Sequence, residues 1–103
     1  MVDEITSMVV LSIVRLTKLT PGVKLKFSPK EGPYIKSQPL HNTQEILIDN
    51  QSEFIITLDV VPSYELKAQI LSYGENVEVI EPQTLRNEIS QTLKNAKMKY
   101  EKR

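Results

Sequence analysis

The sequence predicts an α+β domain, a sheet of short antiparallel strands with helices packed against it. Three observations lead there. Val23-Lys24-Leu25-Lys26-Phe27 alternates apolar and polar residues, the period-2 pattern of a half-buried strand. Later in the chain Phe54, Ile56, Leu58 and Val60 form a wholly apolar alternate set, which should face a core. Finally, Leu85, Ile89, Leu93, Ala96 and Tyr100 recur at helical spacing, a stripe along one side of a long helix.

The elements follow in order. Thr20-Pro21-Gly22 is a turn signal ahead of the first strand, and Ser28-Pro29 closes that strand. Lys30 to Ser37 can form a short helix, with Gly32 and Pro33 limiting its start and Tyr34 and Ile35 as its apolar face. Gln38-Pro39 ends it, because the residue before a proline is driven out of the α region. Gln44 to Ile48 and Glu53 to Val61 read as two strands. The polar Asp49-Asn50-Gln51-Ser52 joins them as an antiparallel hairpin.

Ser63 is a good N-cap for the next helix. Glu65 suits the positive end of its dipole, and Leu66, Ile70 and Tyr73 lie at helical spacing. Gly74 is the expected left-handed terminator. Val77 to Ile80 reads as a strand, and Pro82 can take the first position of the last helix. From Val23 on, the first six elements follow the βαββαβ order of a ferredoxin-like sandwich, with an added C-terminal helix. The domain is expected over residues 22–103. Residues 1–21 fit least: Met8 to Leu19 has a strand-like bias and is either an extra edge strand or a remnant of a preceding domain.

Composition narrows the function. With 103 residues, 40% hydrophobic and 25% charged at zero net charge, the chain is a single ordered domain. The absence of cysteine excludes disulfides, thiolate metal ligands and a cysteine nucleophile. The most apolar run, Met8 to Val14, is too short to cross a bilayer and follows Asp3 and Glu4 rather than a basic leader. A cytoplasmic protein that makes no membrane contact is therefore expected. The zero net charge conceals segregation. Arg15 to Lys36 is basic; His41 to Glu65 holds Glu45, Asp49, Glu53, Asp59 and Glu65 with no Lys or Arg. The tail is basic again, with Lys94, Lys97, Lys99, Lys102 and Arg103 against Glu101. Such a tail can touch phosphate, or can simply be a solvated helix face whose cations suit the helix C-terminus.

No motif carries chemistry. His41 is the only histidine, and without cysteine it cannot build a zinc site from protein ligands unless carboxylates lie near. As a general base it would need an orienting carboxylate and a nucleophile; as a loop residue it needs only backbone partners. Glu75, Glu78 and Glu81 read as surface charges, with Glu78 pointing away from the core. Three glycines leave little room for a phosphate-binding loop, and the serines lie in no nucleophile elbow. Phe27 and Phe54 face the core, so no aromatic platform for RNA is expected, nor is direct DNA contact. The chain is expected not to be an enzyme and to bind no metal or cofactor.

A family resemblance goes further. Leu66 to Ile89 reads LKAQILSYGENVEVIEPQTLRNEI. It resembles the C-terminal part of bacterial WYL-domain regulators, where a leucine-serine-aromatic-glycine turn leads into a VEVLEP-like strand and an LRxEI-like helix. Val23 to Ser28 resembles the family's opening strand, and Tyr34 sits where the family has an aromatic before a basic residue. Pro39-x-His41-x-Thr43-Gln44 resembles its proline-x-histidine-x-serine-glutamine segment.

The resemblance implies a regulator with an N-terminal helix-turn-helix, a central Sm-like WYL barrel and a C-terminal extension called WCX. This chain corresponds to the extension alone. It has no Trp, so the Trp-Tyr-Leu motif and the barrel's basic ligand contacts are absent, and none is carried over. The resemblance also implies a role in dimerisation and effector sensing, with a neighbouring WYL barrel and a second subunit as partners. Pro39, His41 and Gln44 are then the candidate ligand or interface residues; their alternative role is loop geometry. The competing reading is a stand-alone small-molecule-binding domain of the same fold.

Overall fold

The computed structural model describes residues 22–102. They form an α+β unit with a four-stranded antiparallel sheet and three α-helices. The strands are β1 (Val23–Phe27), β2 (Glu45–Asp49), β3 (Phe54–Leu58) and β4 (Val77–Glu81). The helices are α1 (Gly32–Ser37), α2 (Tyr64–Ser72) and α3 (Gln83–Glu101). The strand order is β2-β3-β1-β4, so β1 and β3 are central. They pair in register from Val23 opposite Leu58 to Phe27 opposite Phe54.

That register explains the core. Both central strands alternate buried and half-buried residues. Opposite residues in an antiparallel pair share a face, so Val23, Leu25 and Phe27 meet Leu58, Ile56 and Phe54 on the inner side. Ile35 of α1, Leu66 and Ile70 of α2, and Leu85 and Ile89 of α3 join them in one cluster, so all three helices cover the same face. Phe27 packs edge-on against Tyr73 at 5.0 Å between ring centres and lies 6.4 Å from Phe54. The other face keeps Lys24, Lys26, Ile55 and Thr57 half-exposed.

Local signals hold the elements as expected. Ser63 caps α2 by accepting a hydrogen bond from the Leu66 N–H at 3.1 Å. Gly74 ends the helix with φ of 59°, a left-handed conformation that a Cβ would oppose. In the β2–β3 hairpin, Asn50 Oδ1 accepts from the N–H groups of Ser52 (2.8 Å) and Glu53 (2.9 Å). Arg86 fastens α3 to β4: its Nη1 donates to Glu78 Oε2 at 2.8 Å and to the Val79 carbonyl at 2.7 Å. Glu78 is exposed, as expected of the polar member of that strand.

Several boundaries differ from expectation. The Lys30–Ser37 helix divides into a 3-10 turn, Pro29–Glu31, and α1. Within α1 only Ile35 faces the core, whereas Tyr34 is 71% exposed, because neighbouring helical residues point about 100° apart. The second strand is Glu45–Asp49 rather than Gln44–Ile48, since the Gln44 N–H closes a turn onto the His41 carbonyl at 3.1 Å and pairing with β3 begins at Glu45. The third ends at Leu58 rather than Val61, because the Asp59 N–H bonds the Thr43 side chain instead of a neighbouring strand. Val60 still packs on the core from outside the strand. The fourth strand runs one residue further, to Glu81, where it pairs with Lys24. Pro82 is the N-cap of α3 rather than its first residue, a one-position shift usual at helix ends. The α3 stripe is buried only at Leu85 and Ile89; Leu93, Ala96 and Tyr100 are exposed. Met8 to Leu19 lies outside the described residues. Among the described residues, no helix is long and apolar enough to cross a membrane.

Candidate functional site

The connection from α1 to β2 carries the three residues singled out from the sequence. Gln38 bonds back to the Tyr34 carbonyl at 2.9 Å and ends the helix, after which Pro39 can no longer donate to it. The chain then turns over Leu40 to Thr43 before entering β2.

Gln44 uses both ends of its amide. Its Nε2 donates to the Ile35 carbonyl at 3.2 Å, and its Oε1 accepts from the Leu40 N–H at 3.0 Å. One half-buried side chain therefore ties the loop to the end of α1. His41 makes a second closure. Its Nδ1 accepts from the Thr43 N–H at 3.1 Å and lies 2.8 Å from Thr43 Oγ1. An N–H donor requires a lone pair at Nδ1, so the neutral ring carries its proton on Nε2. Thr43 Oγ1 accepts from the Asp59 N–H at 2.9 Å and so can donate its own proton to the imidazole. The loop is thus pinned to α1 through Gln44 and to the end of β3 through Thr43. Pro39 is exposed, and its ring adds stiffness rather than a polar contact.

The loop separates two cavities. The larger, about 500 Å³, opens where the chain enters β1 and is lined by Lys24, Thr43, Gln44, Glu45, Thr57 and Glu81, among others. It offers one ammonium between carboxylates and hydroxyls, a lining suited to hydrogen bonding with a polar ligand. The smaller, about 200 Å³, is lined by His41 with Leu40, Val60, Val61, Ser63 and Glu65. Gln44 and His41 therefore face different cavities, and Pro39 lines neither. Among the described residues, no group of three or more His, Asp or Glu is arranged to hold a metal ion.

Thr43 was not singled out from the sequence, although it links more of the site than His41 does. Its signal was its position in the Pro-x-His-x-Thr-Gln segment, but its partner Asp59 lies 16 residues away and leaves no mark in the local pattern. Tyr73 stands apart on the far side of the core. Burial raises its hydroxyl pKa above the ordinary value of 10.0, and the nearby Glu31 carboxylate adds to the rise.

The sequence matches the family model of the WCX domain over residues 20–97. That match spans every described strand, the first two helices and most of α3. No curated protein matches the sequence.

Proposed function

Because this chain belongs to the WCX domain family, we propose that it is the C-terminal regulatory module of a bacterial WYL-type helix-turn-helix transcriptional regulator. In this reading the module acts in the cytoplasm, associates with a neighbouring WYL barrel and a second subunit, and shapes the effector-sensing surface. It reads no DNA and catalyses no reaction itself. The family match carries the reading. Two features of the fold support it. The strand order β2-β3-β1-β4 with all helices on one face suits a ferredoxin-like sandwich with an added helix. The exposed end of α3 supplies an apolar surface that the other described residues leave uncovered.

The Pro39–Gln44 loop is the element that would relay effector binding. It joins α1, β2 and the end of β3 through side chains, so a push on the loop is felt at three elements. The test is Gln44→Ala in the full-length regulator, with effector affinity, oligomeric state and operator binding measured separately. The expected result is altered effector response with operator affinity in the absence of effector unchanged. Equal effector response in wild type and variant would remove the loop from the mechanism. A gene that encodes no helix-turn-helix or barrel together with this domain would sink the regulator reading altogether.

The larger cavity favours a second reading, a stand-alone domain that binds a small polar molecule between Lys24, Glu45 and Glu81. Retained ligand binding by the 103-residue chain, lost in Lys24→Ala, would select it.

A further inference from the structure

Among the described residues, the exposed large apolar side chains other than Tyr34 fall into two groups of opposite charge. Ile46, Leu47, Val61 and Tyr64 lie within His41 to Glu65, which has five carboxylates and no Lys or Arg. Leu93, Met98 and Tyr100 lie on the end of α3, among Lys94, Lys97, Lys99 and Lys102. Asp49 and Glu53 are paired with Lys36 and Lys26, which leaves Glu45 and Glu65 beside the first group, and Glu101 offsets Lys97 in part. Each group therefore joins exposed apolar area to a predominant sign of charge, and the two signs are complementary.

The two groups do not meet within one chain. Arg86 holds the start of α3 against β4, and β4 and β2 are opposite edges of the sheet. Three strand spacings separate those edges, about 14 Å. Every residue from Ser90 to Lys102 is exposed, so the end of α3 is not buried against the rest of the described residues.

Like does not pair well with like either. The stripe Leu93, Ala96, Tyr100 is flanked by Lys97 on one side and Lys99 on the other, so two such stripes brought together bring their ammonium groups together. Antiparallel pairing of two β2 edges about Leu47 would set Glu45 opposite Asp49, and like charges facing across strands are destabilising.

We propose that the basic, apolar end of α3 docks on the acidic, apolar β2 side of a second copy of this chain, and that the second copy returns the same contact. This rests on the subunit-association reading above and names its surface. Each copy carries both members of the complementary pair, so one two-fold operation satisfies both and closes the assembly. Lys97 and Lys99 meet Glu45 and Glu65, while Leu93 and Tyr100 cover Ile46, Leu47 and Tyr64. Neither Lys99, Glu45 nor Glu65 is in an ion pair among the described residues; Lys97 has only a 3.6 Å contact to Glu101 one turn on.

The test is sedimentation equilibrium of the 103-residue chain and two charge-reversed variants, Lys97→Glu/Lys99→Glu and Glu45→Lys/Glu65→Lys. All four positions are exposed, and circular dichroism verifies that each variant folds. Wild type is expected to dimerise, more weakly as salt is added, since exposed charges are screened beyond about 8–10 Å at ordinary ionic strength. Each variant alone should associate at least about tenfold more weakly, because both contacts become repulsive. An equimolar mixture of the two should dimerise again, because each contact then joins opposite charges. Variants that dimerise like wild type would overturn this pairing and leave subunit association standing. So would a mixture that stays monomeric after both variants have lost dimerisation. A wild-type chain that is monomeric throughout would remove both.

Discussion

The two halves of α3 share one helix and one apolar period but live in different surroundings. Leu85 and Ile89 are buried among strand residues, and Arg86 between them bonds the edge of β4. One turn past Ile89, Leu93 is 47% exposed, and about two turns further Tyr100 is 82% exposed; among the described residues Lys97 reaches only Glu101 of its own helix. Periodicity reports which side chains share a face. It does not report whether anything covers that face. The first half is part of the fold; the second half is surface, and the other described residues leave its stripe open to a partner.

The same substitution in each half is the most direct way to break that contrast. Leu85→Ala removes a fully buried side chain and leaves a cavity bounded by the sheet, so it should lower stability by about 3 kcal/mol, within the 2–5 kcal/mol of such truncations. Leu93→Ala should change the stability of the isolated chain by no more than about 0.5 kcal/mol, as for exposed sites. Chemical denaturation at a concentration low enough to keep the chain monomeric checks both. Equal losses would show that the end of α3 is packed after all.

A finer comparison sets Arg86 against Lys97. Arg86 donates to a carbonyl at the sheet edge and to an exposed carboxylate, so Arg86→Ala should cost about 1 kcal/mol, most of it from the carbonyl bond. Lys97→Ala gives up only an exposed pair within the helix and should cost about 0.3 kcal/mol or less. If the Lys97 change were the more costly in the same denaturation measurement, α3 would be anchored at its far end instead.

What could be read from sequence follows the same division between local and distant causes. The alternation of Val23 to Phe27, the Ser63 cap and the Gly74 terminator are set within a few residues and are found where expected. The end of β3 is set by Thr43 from 16 residues away, so that boundary is not visible in a local window. The site shows the same limit. The Pro39–Gln44 segment was recognisable as a unit, but which cavity each side chain faces depends on how β1, β2 and α2 come together. Arg86 lay in plain view within the LRxEI-like stretch, yet its acceptor, the Val79 carbonyl, exists only once β4 forms an edge.

The smallest expected effect belongs to the core end of the comparison, at Tyr73. Tyr73 packs on Phe27, and burial with the Glu31 charge raises its pKa above 10.0. The folded chain therefore holds the Tyr73 proton more tightly than the unfolded chain does. By linkage the associated stability is whole below a pH of about 10 and is lost as the pH rises through the raised folded value. Tyr73→Phe should flatten the alkaline decline. Glu31→Gln should reduce it partly, because burial, the larger cause, remains. Denaturation midpoints of the three chains between neutral and alkaline pH decide the point. A decline that survives Tyr73→Phe in full would place its origin in other groups.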